Sequence, residues 1–122
     1  PAWCKILIYL GIFFTPIYAS MISVFILITF DTITGIIKSH KKGDTISSKK
    51  LKTTIIKVLL YQMTIITAHM IELHLLPYIP VVKVVLGSIA TIEFFSILEN
   101  VSTVTGRPLL TVIKEKIEKL LK

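Results

Sequence analysis

The chain has 122 residues, 53% of them hydrophobic and 17% charged, with a mean hydropathy of +0.80 and a formal net charge of +7. At this length a chain forms one small domain with a large surface for its volume, so so apolar a composition excludes an ordinary water-soluble fold and points to an all-α integral membrane protein, residues 1–122 forming a single membrane domain. The lone cysteine, Cys4, makes no intrachain disulfide, and the lysine-rich segment 38–52 lacks the interleaved aromatics of a nucleic-acid surface, so no nucleic-acid partner is expected.

Residues 6 to 30 carry no charge. Fully helical, they would extend about 37 Å, more than the ~30 Å hydrocarbon core of a bilayer. Lys5, the apolar stretch and Ala19 before Ser20 loosely imitate a cleaved signal peptide, but the apolar run continues past that point, which favours a span. Pro16 in the middle, with Gly11 close by, leaves two registers open. Either the span is 6–30, or a short interfacial helix over 3–14 precedes a span at 17–37, which puts Asp31 several residues inside the membrane.

Positive charge falls in two blocks. Lys38, Lys41, Lys42, Lys49, Lys50, Lys52 and Lys57 stand against Asp44. After Asn100, Arg107, Lys114, Lys116, Lys119 and Lys122 stand against Glu115 and Glu118. Basic segments stay on the cytoplasmic side, so the stretch joining the blocks crosses twice. It divides into apolar segments 53–71 and 81–98, with Pro77 and Pro80 marking the outer turn. The expectation is three transmembrane helices, a cytoplasmic basic loop over 38–52, the N-terminus outside and the C-terminus in the cytoplasm. Lys49, Lys50, Lys52, Lys114, Lys116 and Lys119 are the basic residues expected at the membrane surface.

The second and third spans are polar for helices in lipid. Lys57, Tyr61, Thr64, Ala68 and Glu72 follow helical spacing along one face, as do Glu93, Ser96 and Asn100. A charge at mid-span costs at least about 2.5–3.5 kcal/mol, so these faces should turn toward other helices or water. In an antiparallel hairpin Lys57 and Glu93 lie at similar depth and could pair, and so could Glu72 and Lys83 at the outer end. The competing expectation is that both lysines snorkel to the headgroups. Gly87, Ser88 and Ala90 allow close helix approach, which serves a static bundle as well as a pore lining.

At the end of the chain, Pro108 suits the first turn of a helix, and Leu109, Ile113, Ile117 and Leu120 or Leu121 recur on one face. An amphipathic helix over 108–122 should lie on the inner leaflet, its basic residues contributing about 1 kcal/mol each near anionic lipid. An ordinary charged tail, or packing on partner chains, is the plainer alternative. His69, Glu72 and His74 cluster near the outer end of the second span, but the directions for a metal are poor and no metal site is expected. Asn100-Val101-Ser102 fits a glycosylation pattern on the wrong side of the membrane to be used. No nucleophile stands beside a base and no phosphate loop appears, so neither an enzyme nor a cofactor is expected.

Two motifs carry a family resemblance. Asp31-Thr32-Ile33-Thr34-Gly35 is followed by a basic loop with Ser47, Ser48, Lys49 and Lys50, and by Lys57 heading an apolar helix. Glu93-Phe94-Phe95-Ser96-Ile97-Leu98-Glu99-Asn100 is followed by Gly106, Pro108 and a basic helix. In order and spacing, over about residues 24–120, this resembles the bacteriophage holin family linked to lysis and toxin secretion. Lys52, Thr53 and Thr54 stand where a glycine is expected before the second span, which bears on the flexibility of that joint. The resemblance implies a phage or prophage protein that forms a homo-oligomer in the bacterial cytoplasmic membrane and opens a lesion through which an endolysin or toxin leaves. Together the helical faces and these motifs give pore or helix-packing roles to Asp31, Thr34, Gly35, Lys57, Tyr61, Thr64, Glu72, Lys83, Glu93, Ser96, Glu99 and Asn100. The alternatives are a non-lytic membrane anchor or regulatory subunit such as an antiholin, and a small channel passing ions only.

Overall fold

The computed structural model describes residues 1–45 and 48–122, which leaves Ser47 of the loop motif outside the described residues. Among the described residues all regular structure is helical: α1 (Ala2–Phe14), α2 (Tyr18–Lys41), α3 (Ser48–His74), α4 (Val81–Thr105) and α5 (Leu109–Leu121). Three of these, α2, α3 and α4, are long and apolar enough to cross a membrane. At 1.5 Å per residue they extend about 36–40 Å, beyond the ~30 Å hydrocarbon core.

Pro16 divides the first apolar run between two helices. It has no N–H to donate and its ring crowds the preceding turn, so α1 stops at Phe14 and α2 starts at Tyr18. The Thr15 hydroxyl and backbone N–H both return to the Gly11 carbonyl, closing the end of α1. Ile17 in the bend is 2% exposed and anchors it in the core. Residues 6–30 are therefore not one continuous helix, and Asp31 lies well inside α2.

The basic segment 38–52 is mostly helical rather than looped. Lys38, His40 and Lys41 form the last turn of α2, where cations suit the negative end of the helix dipole, and Ser48–Lys52 already belong to α3. Gly43 turns the chain with φ +79°, a left-handed backbone that glycine adopts without strain. At the opposite end Leu75–Pro80 form the tight turn, and Pro80 immediately precedes α4.

Cross-helix hydrogen bonds fix the topology. Residues 21 and 62, and 31 and 57, meet between α2 and α3, so these run antiparallel. Residues 57 and 61 meet 93 between α3 and α4, and the tight Leu75–Pro80 turn that joins these two packed helices makes them antiparallel as well. Residue 31 meets 96 and residue 34 meets 100, so α2 and α4 run parallel, and this is the most extensive packing in the bundle. Ile17, Val24 and Ile28 of α2, Ile65 of α3 and Ile89 of α4 form a small apolar core in the half nearest the Leu75–Pro80 turn. Outward, large apolar side chains such as Phe30, Leu59, Met63 and Ile92 stay exposed, as a bilayer solvent requires.

Beyond α4, Gly106 adopts φ +72° and closes the helix by donating its N–H to the Ser102 carbonyl. Helix α5 then folds against the end of α4: Lys114 Nζ sits 5.7 Å from the centroid of the Phe95 ring. Leu120 and Leu121 remain exposed.

Candidate functional site

One helical turn along from the apolar core, in the half nearer the basic end, the three long helices converge on a polar network. Ile28 of α2 gives way to Asp31, Ile65 of α3 to Tyr61 and Lys57, and Ile89 of α4 to Glu93. Lys57 Nζ lies 3.0 Å from Asp31 Oδ2 and 3.1 Å from Glu93 Oε2, bridging α2 and α4. Tyr61 donates its hydroxyl to Glu93 Oε1 at 3.1 Å. Ser96 donates to Asp31 Oδ1 at 2.6 Å, and Asn100 Nδ2 donates to the same oxygen at 3.1 Å and to Thr34 Oγ1 at 3.0 Å.

All four carboxylate oxygens thus have donors. That completeness matters because an uncompensated charge in a low-dielectric bundle is far more costly than a paired one. The side chain of Glu93 is 2% exposed and that of Asp31 12%, so both acids face neighbouring helices rather than lipid. Gly35 lies beside the network, and a Cβ added there would meet Asn100 Nδ2 at 3.7 Å. That is ordinary contact, so α2 and α4 leave room for a methyl group at this position, and a larger side chain would meet Asn100. Two carboxylates and one ammonium leave the cluster one formal negative charge, so the arrangement binds three helices together through an odd number of ions.

Several residues expected on these faces lie elsewhere. Thr64 is exposed and returns its hydroxyl to the Leu60 carbonyl at 2.8 Å. The buried stripe of α3 is centred on its neighbour Ile65, about 100° around the helix. Glu72 and Lys83 do not pair among the described residues: Lys83 is exposed, about 80° around α4 from the inward Glu93. Glu99 is exposed as well and lies 3.8 Å from Lys38, an ion pair at the rim of the bundle. Lys49, Lys50, Lys52, Lys114, Lys116 and Lys119 are all on the surface.

Three contacts were not apparent in the sequence. His69 is 5% exposed, its Nε2 2.9 Å from the Phe13 carbonyl and its ring packed on Phe13. It joins α1 to the far end of α3, and its place one turn beyond Ile65 was the available signal. Among the described residues no group of three His, Cys, Asp or Glu side chains gathers as metal ligands. Gln62 donates to the Met21 carbonyl at 3.0 Å, while its Oε1 is buried without a partner among the described residues. Lys41 donates to the Val104 carbonyl near the end of α4.

Residues 8–122 match the sequence profile of the bacteriophage holin family. No curated protein and no solved structure matches the chain.

Proposed function

The chain belongs to the bacteriophage holin family, and from that premise we propose that it oligomerises in the bacterial cytoplasmic membrane and opens a pore or lesion that releases an endolysin or toxin. The observation that carries this reading is the family match over residues 8–122, and the Asp31–Lys57–Glu93 network supplies the device that would hold the closed form. A single copy has three long helices and cannot surround a hole wide enough for a folded protein, so passage requires many copies. In one copy the polar groups are turned inward and paired, while apolar side chains face outward, an arrangement suited to a lipid-soluble closed form. Opening then exchanges pairings within a copy for contacts with water and neighbouring copies around a lumen. The residues we assign to that exchange are Asp31, Lys57, Tyr61, Glu93, Ser96 and Asn100, with Thr34 and Gly35 setting the approach of α2 to α4.

The two basic ends support a cytoplasmic C-terminus and an outer N-terminus by the positive-inside rule. Helix α5, apolar on one face and lysine-rich on the other, suits the inner leaflet. A second reading, an antiholin or non-lytic anchor, is favoured by one observation: every carboxylate oxygen of the network is satisfied within a single copy, as a permanently closed bundle requires.

Inducible expression in a bacterium containing a folded cytoplasmic reporter enzyme separates these readings. Abrupt loss of potassium and reporter together after a delay supports the holin. Ion loss alone indicates a small channel, and a sealed membrane with inserted protein indicates an anchor or antiholin.

A further inference from the structure

Two cavities lie end to end between α2 and α3. The first, of about 350 Å³, opens at the basic end of the bundle and has Lys38, Lys42 and Lys50 around it and Asp31, Lys57 and Asn100 among its lining residues. Four lysines less two aspartates, Asp31 and Asp44, leave its lining a formal charge of +2, with Lys57 already held by Asp31 and Glu93 and with Lys38 lying 3.8 Å from the exposed Glu99, which a phosphate would displace. The second, of about 390 Å³, is an apolar cleft lined by residues such as Phe25, Ile33, Ile55 and Leu59. Both cavities share Thr32 and Thr54, whose hydroxyls meet at 3.4 Å across the boundary.

We propose that these two cavities form one binding site for an anionic glycerophospholipid, its phosphate among Lys38, Lys42 and Lys50 and one acyl chain in the cleft between α2 and α3. The order of the two parts along the bundle is the order of a lipid. Lys38 lies two turns beyond Asp31 on α2, about 10 Å nearer the end of the helix, at the depth of headgroups when the apolar half spans the hydrocarbon. Basic pockets between transmembrane helices at the cytoplasmic side hold anionic headgroups by this chemistry. Each cavity is within the ~300–1,000 Å³ range of small-ligand sites. A bare phosphate accounts for the cationic part and leaves the cleft unexplained, whereas a neighbouring apolar helix accounts for the cleft and leaves the lysines unexplained. A lipid filling this existing space touches both α2 and α3 without parting Asp31 from Lys57, so it stabilises the pairing within one copy. The inference rests on insertion in a membrane and is independent of whether the protein opens a pore.

The test is native mass spectrometry of the full chain in detergent, titrated with phosphatidylglycerol, phosphatidylcholine or free glycerol phosphate. One phosphatidylglycerol should saturate each chain, with phosphatidylcholine much weaker. Replacing Lys38, Lys42 and Lys50 together by Gln should weaken phosphatidylglycerol about a hundredfold, and Lys42→Gln alone about fivefold, which keeps the test decisive if the triple variant misfolds. Thr29→Phe, which fills the cleft, should weaken the lipid and leave any binding of glycerol phosphate unchanged. Equal binding of both lipids, displacement of phosphatidylglycerol by glycerol phosphate at equal concentration, or dimers that retain no lipid would each overturn the proposal.

Discussion

Asp31 and Lys57 face each other across 3.0 Å from helices that run in opposite directions, and Lys57 reaches onward to Glu93 of the third helix. A single ammonium therefore sets the register of all three long helices. Removing it strands two carboxylates in the bundle. Lys57→Met should destabilise the fold by about 3–5 kcal/mol, read as the shift in a reversible unfolding titration in mixed micelles. Adding Asp31→Asn and Glu93→Gln to it should restore most of the loss, because the stranded charges are then gone.

Glu93→Gln keeps the shape of the side chain and an acceptor for Tyr61, but reduces the bridge between α3 and α4 to a neutral contact. On the proposed reading the network restrains opening, so this variant should start lysis earlier at equal membrane abundance. An unchanged onset, with insertion verified by fractionation, would count against the network as that restraint.

Gly35 separates a tolerated from an intolerable change. A Cβ there meets Asn100 Nδ2 at 3.7 Å, an ordinary contact, so Gly35→Ala should be neutral or gain up to about 1 kcal/mol from helix propensity. Gly35→Leu must displace Asn100 and with it the bonds to Asp31 and Thr34. A loss of about 1–3 kcal/mol is expected, measured by thermal unfolding in the same detergent.

The Gln62→Leu variant removes a buried carbonyl oxygen that has no partner among the described residues, at the loss of one hydrogen bond to Met21. The two effects oppose each other at about 1 kcal/mol each, so stability should change little or rise. A fall of several kcal/mol would show that a buried water satisfies the oxygen.

His69 is the buried polar contact between α1 and the long helices. His69→Leu keeps the apolar packing and deletes the bond to the Phe13 carbonyl. Backbone amides of Ala2–Phe14 should then exchange with deuterium faster, while those around Ile65 and Ile89 remain protected.

Much of this architecture was legible in the chain. Long apolar runs, the Pro77 and Pro80 turn between two of them and the distribution of lysines were enough for an all-helical membrane protein with three long apolar helices, because lipid permits few other solutions. Depth in a hairpin allowed a Lys57 and Glu93 pairing but left snorkelling of Lys57 to the headgroups equally open. Asp31 as the shared partner of Lys57, Ser96 and Asn100 did not follow, because the parallel packing of α2 on α4 joins residues some 65 positions apart. Helical spacing located the polar face of α3 only to within a fraction of a turn, and that error placed Thr64 inward and left Ile65 unremarked. Likewise the Glu72 and Lys83 pairing satisfied depth but ignored rotation about α4.

The odd count of ions in the network has an electrical consequence. Exchanging partners between copies rearranges the contacts but cannot cancel the surplus, because every copy brings two carboxylates and one ammonium. A ring of copies with these groups around its lumen would carry one fixed negative charge per copy, with both acids ionised, and the charge density would be highest while the ring is small. Its earliest conductance would then favour potassium over chloride, and that preference would fade as the opening widens past the screening length of about 8 Å at physiological salt.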